Sequence, residues 1–162
     1  MNLFRALRTH LTALVLTFIV GSVQAQITND ITDEEALKVL MAAKEHASAS
    51  GVLVNIAVVD AGANLKAFIR MDESFLGSID VSIKKAKTAR YFNMATGELG
   101  KLSQPEGAIY NIEHSNDGLI TFPGGVPVKN KSGKIIGAVG ISGGTVDQDH
   151  EIATVGAKAI LE

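Results

Sequence analysis

The chain of 162 residues contains no cysteine and no tryptophan, and only 3 prolines. Without a thiol it forms no disulfide, thiolate zinc site or iron-sulfur cluster, and it has no cysteine nucleophile. Aromatic residues are scarce at 5%, and net charge is almost absent, with 15 Lys and Arg against 17 Asp and Glu for a formal −2. A nucleic-acid partner requires a broad positive field to neutralise phosphates, which this balance does not supply. No HExxH motif occurs, and Gly140-Ile141-Ser142-Gly143-Gly144 departs from the spacing of a Gly-x-Ser-x-Gly elbow, so a hydrolase has no support. What the chain does have is 46% hydrophobic residues and 16 glycines, in a length that suits one domain.

Arg5, Arg8 and His10 precede an apolar stretch from Leu11 to Val20, interrupted only by Thr12 and Thr17. That is about half a membrane span, and Val23-Gln24-Ala25 follows as a cleavage site. The pattern predicts a signal peptide over 1–25, cut between Ala25 and Gln26, and a periplasmic or secreted domain over 26–162. No second long apolar run follows, so no transmembrane span is expected in the mature chain.

Thr32-Asp33-Glu34-Glu35 is a capping box, and Ala36, Leu40, Ala43 and Ala47 recur at helical spacing, which predicts a helix over 33–49. Leu53 to Val59 is apolar at both parities and reads as a strand covered on both faces. The turn residues at 60–64 return the chain into a second strand over 65–71. Ile79, Ile83, Ala86 and Ala89 mark a second helix that fades by Gly97 and shows Lys84, Lys85, Lys87 and Arg90 on its other faces. A loop over 100–105 and a short helix over 106–113 follow. Three strands are then predicted, over 119–122, 126–129 and 135–141, and a final helix starts at the capping box Thr145-Val146-Asp147-Gln148. Short links favour antiparallel pairing, and the whole is an α+β fold. The small residues of the last strand would let a helix or a flat ligand approach its backbone.

Four groups are candidates for chemistry. Gly124 and Gly125, with Gly143 and Gly144, expose amides that suit either an anion or simple tight turns. Asp147, Asp149, His150 and Glu151 are dense enough for a metal, though acids in a first helical turn also stabilise its dipole unaided. Asp149 falls on the packed side of that helix, while His150 lines up with Thr154 and Lys158 and faces water. Of the possible haem or metal ligands, His114 is the one in a loop beside the sheet, and it is the candidate axial donor. Arg70, Lys84, Lys85, Lys87 and Arg90 form a cationic set that suits either the carboxylates of a tetrapyrrole or metabolite, or a solvated helix face.

Val58-Val59-Asp60-Ala61-Gly62, Arg70-Met71-Asp72, Lys85-Ala86-Lys87-Thr88-Ala89, Gly124-Gly125-Val126-Pro127, Gly137 to Gly143 and Asp149 to Ala153 together resemble the GlcG/HbpS-like haem-binding family. The C-terminal domain of PduO-type adenosyltransferases is similar. The likeness spans nearly all of 31–161. It implies an α/β/α sandwich around a five-stranded antiparallel sheet, as in profilin and PAS-like domains, and a homo-oligomer from dimer to octamer. It also implies haem as cofactor, with export, haem or iron sequestration, and signalling to a sensor kinase in some members. The family's charged positions match Asp72, Lys85 and Asp149, its glycine turn matches Gly124 and Gly125, and Asn64 stands where relatives frequently carry histidine. The expected function is therefore haem binding, with Arg70, Lys85 or Arg90 meeting the propionates. The alternative is a small-carboxylate binder or enzyme that uses the glycine amides with Lys85 and Asp72.

Overall fold

The computed structural model describes residues 30–161. The signal peptide expected over 1–25 lies outside them. Helix α1 occupies Asp33–Ala49, and its capping box is closed in both directions: Glu35 N donates to Thr32 Oγ1, and Thr32 N to the Glu35 carboxylate. Strands β1 (Asn55–Asp60) and β2 (Leu65–Arg70) form the expected hairpin. Its turn is held by the Asp60 carboxylate, which accepts from the backbone of Gly62 and Asn64 and from the Asn64 side chain. Asn64 is thus a turn residue. Helix α2 covers Ser78–Phe92, α3 covers Thr96–Leu102, and a short 3₁₀ turn covers Ile112–His114. Strands β3 (Gly125–Lys129) and β4 (Ile135–Ser142) precede α4 (Val146–Lys158), which opens with the second predicted capping box.

The strand order is β2-β1-β4-β3, antiparallel throughout. β1 is central and buried from Asn55 to Val59, as two-sided apolarity requires. Ile56 and Val58 pair with Ile141 and Val139 on the face that α1 and α4 cover, through Val39, Ala43, Ile152 and Ala153. Each such buried Val or Ile contributes roughly 1.5–3 kcal/mol. Ala57, Val59 and Ala138 face the other way, against Ala86 and Ala89 of α2. The result is the expected helix/sheet/helix layering.

On the α2 side the sheet is nearly smooth. Gly125 and Gly140 pair across β3 and β4, and a Cβ on Gly140 would run into the Ser82 carbonyl and the Ala86 backbone nitrogen. The small-residue face of β4 therefore admits a helix.

Three expectations are corrected. Residues 119–122 form no strand, so the sheet has four strands among the described residues instead of five. Their backbone is satisfied elsewhere: Leu119 N donates to Glu113 O, Ile120 N to Thr88 Oγ1, and Phe122 O accepts from Thr96 Oγ1. The helix expected over 106–113 is reduced to the Ile112–His114 turn, because Glu106 and Asn111 adopt left-handed φ of 71° and 65°. Conversely, α3 forms where a fading helix and a loop were expected. Gly97 and Gly100 lie at close contacts: a Cβ there would strike the Pro123 ring and the Thr121 carbonyl respectively.

Candidate functional site

Position 85 lies three residues after Ser82 and four before Ala89, both buried, so its side chain points at the sheet. This corrects the expectation of an outward-facing lysine: Lys85 is 0% exposed. Its Nζ donates to Asp149 Oδ2 at 2.7 Å and to the Ile141 carbonyl at 2.9 Å, and stands 4.8 Å from the centre of the Phe122 ring. Asp149, 3% exposed, accepts from Gly144 N at 2.9 Å through its other oxygen. Gly124, with φ of 123°, closes over the pair, for a Cβ there would meet Lys85 Nζ, the Ile141 carbonyl and Asp149 Cβ. Desolvation pushes the Lys85 pKa below its ordinary value and the Asp149 pKa above its own, each restrained by the partner. The arrangement ties α2 and α4 to the end of β4.

These contacts also engage two of the four glycine amides, and the lysine, that a small carboxylate would meet. Gly125 N donates to Thr96 Oγ1 at 3.0 Å and Gly144 N to Asp149, while Lys85 is shut away from solvent. Among the described residues, no three His, Asp or Glu side chains converge as a metal site.

The remaining predicted residues are dispersed. Arg70 and Asp72 are exposed and share a hollow of about 280 Å³ with Lys44, Leu53, Ile69 and Met71, where Arg70 Nη2 donates to Ser74 O at 3.1 Å. Arg90 Nη1 donates to Asn93 Oδ1 at 2.6 Å beyond the end of α2. His114 is exposed in the 3₁₀ turn. Next to it, Glu113 is held below the usual glutamate pKa, chiefly by the Thr121 hydroxyl, which donates at 2.6 Å, and then by its own backbone N–H.

A larger feature runs along the outer face of α4. One section of about 530 Å³ lies between α4 and α3, with Ala95, Gly97, Pro123 and Val155 as apolar walls and His150 and Thr154 on the α4 side. Ala95 and Thr154 also line a second section of about 330 Å³, where Met94, Val126, Pro127 and Leu161 meet Lys129 and Lys158. The two sections thus adjoin along one helix. Sequence reasoning placed His150, Thr154 and Lys158 in line but missed the facing wall, because that wall depends on α3.

This layout has counterparts. The model of the family described as "Haem degrading protein HbpS-like" matches residues 31–158. A 15.0 kDa protein from the dhaT-dhaS intergenic region of Citrobacter freundii is 40% identical over 124 residues, covering 76% of this chain and 87% of its own length. The crystal structure of a PduOC–haem complex superposes with a TM-score of 0.76 at 36% identity, covering 81% of this chain and 95% of that one. The crystal structure of HbpS superposes with a TM-score of 0.72 at 31% identity, covering 82% and 91%. The family model's match over most of the chain and the relative that is 40% identical over 87% of its own length make one assignment: the chain belongs to the HbpS-like family.

Proposed function

We propose that this protein is an exported haem-binding protein that sequesters or senses haem in the periplasm or outside the cell. The observation that carries the reading is the likeness to a solved haem complex at 36% identity over 81% of the chain. The donor chemistry of the molecule fits the group. A porphyrin needs an apolar bed, an imidazole or thioether for the iron and cations for its propionates, and the α4 groove combines apolar walls with His150, Met94, Lys129 and Lys158. Burial of a flat apolar ligand is favourable at about 25 cal/mol per Å² of apolar surface removed from water. When bound, haem would supply redox-active iron; the chain's residues would hold and shield it.

Export rests on the basic start, apolar stretch and cleavage site within residues 1–25. Homo-oligomerisation and a sensor kinase as partner belong to the same reading through the family resemblance. Titration of the purified protein with hemin tests the core of it: the Soret band should shift and saturate. An unshifted band across the titration overturns haem binding. Terminal sequencing of the protein recovered from a producing cell tests export, with Gln26 as the expected first residue and Met1 as the result that overturns it.

A further inference from the structure

We infer that haem lies along the outer face of α4 with His150 as the axial donor and its propionates turned toward Lys129 and Lys158; this rests on the haem-binding reading above. Three histidines belong to the described residues. His46 Nε2 is engaged by Glu151 Oε1 at 3.2 Å, and His114 lines neither section of the groove. His150 is exposed and lines the larger section. It shares a helix face with Thr154 and Lys158 at successive spacings of four, so the backbone positions of His150 and Lys158 lie about 12 Å apart along the axis.

The charges at the two ends give the ligand a direction. Beside His150 stand Asp147, Glu151 and Glu98, of which Glu151 is held by His46 and Glu98 by Lys101 at 2.8 Å. Acids repel propionates. The other end carries Lys129 and Lys158 and, among the described residues, no acid in its lining. A dicarboxylate porphyrin therefore gains from turning its carboxylates toward the lysines and its apolar edge toward the section that Pro123 and Val155 line. Met94 sits in the lysine section and offers a thioether to the same ligand.

The experiment is a hemin titration of the full chain and its variants, read by affinity and by the absorption and electron paramagnetic resonance spectra. His150→Ala should change the spectrum and weaken binding about tenfold or more, and free imidazole in solution should restore the wild-type spectrum. His114→Ala should match the wild type. The double variant Lys129→Glu/Lys158→Glu should weaken binding by about tenfold, the worth of a charge-assisted hydrogen bond, and leave the spectrum unchanged. All three sites are on the surface, and an unchanged thermal melt verifies the fold. If the wild type binds and His150→Ala keeps both affinity and spectrum, this placement is overturned while haem binding stands. If the wild type does not bind, the haem reading itself fails.

Discussion

Asp149 and His150 are adjacent in α4, yet one is sealed in the core and the other opens on the groove; Lys85 and Lys84 repeat the contrast in α2. A single residue step turns a helical side chain by about 100°, and that rotation separates a structural ion pair from an accessible surface. The buried pair, Lys85 with Asp149, has its polar atoms matched by the Ile141 carbonyl and the Gly144 amide. The surface pair, Lys84 with Asp80, has the same chemistry at 2.8 Å but keeps its water, with side chains 33% and 67% exposed. Chemistry of the pair is therefore a poor guide to its worth; solvent decides. Where charges are buried, the energy goes into holding three elements together, and where they are exposed, side chains stay free to meet a ligand.

The strongest way to break this contrast is to remove one half of each pair. Lys85→Met leaves Asp149 as a lone buried carboxylate and should cost about 3–5 kcal/mol in a urea melt, whereas Lys85→Met with Asp149→Leu should recover most of that loss. Lys84→Met, which frees only a surface carboxylate, should fall within about 1 kcal/mol of the wild type. Equal losses from the two single lysine variants would sink the distinction between the pairs.

A second test concerns how α2 reaches its seat. Gly140→Ala drives a methyl into the backbone of Ser82 and Ala86, neither of which has a flexible end to move aside, so we expect a loss of about 1–3 kcal/mol. Gly133→Ala is the control in open space; its φ of 80° carries its own backbone strain, of about 1 kcal/mol, but no collision. A thermal melt of both separates packing from backbone conformation. Should Gly140→Ala melt with the wild type, α2 is not seated as tightly as its contact with β4 requires.

Much of this architecture is legible in the residues. Both capping boxes mark helix starts, and the two-sided apolarity of β1 and the small residues of β4 identify the buried centre of the sheet. The failures share a cause. Residues 119–122 have strand composition but spend their hydrogen bonds on Thr88, Thr96 and Glu113, which are distant in sequence. Gly97 and Gly100 resemble helix breakers, yet are small because the 121–123 segment presses against them. Lys85 resembles a solvated lysine until the carboxylate 64 residues away is brought to it. Local signals report local structure, and the site is assembled from long-range partners. The groove was invisible for the same reason, since α4 supplies one wall, and α3, the link before it and β3 supply the other.

The smallest effect expected lies at Glu113, which sits between the two regimes: partly exposed, yet held by a hydroxyl from the irregular segment that follows it. Its pKa is lowered from 4.5, so the unfolded chain takes up a proton more readily than the folded one. This carboxylate therefore adds stability above pH 4.5, and the contribution is lost as pH falls through the lower folded value. Thr121→Val removes the first cause of the shift. The Glu113 resonance in a carboxyl-detected NMR titration should then move up toward 4.5, and the stability curve on its acid side should flatten slightly. A Glu113 titration that Thr121→Val leaves in place would mean that the remaining contacts, the residue's own backbone amide first among them, and not the bond to Thr121, hold the charge beside His114.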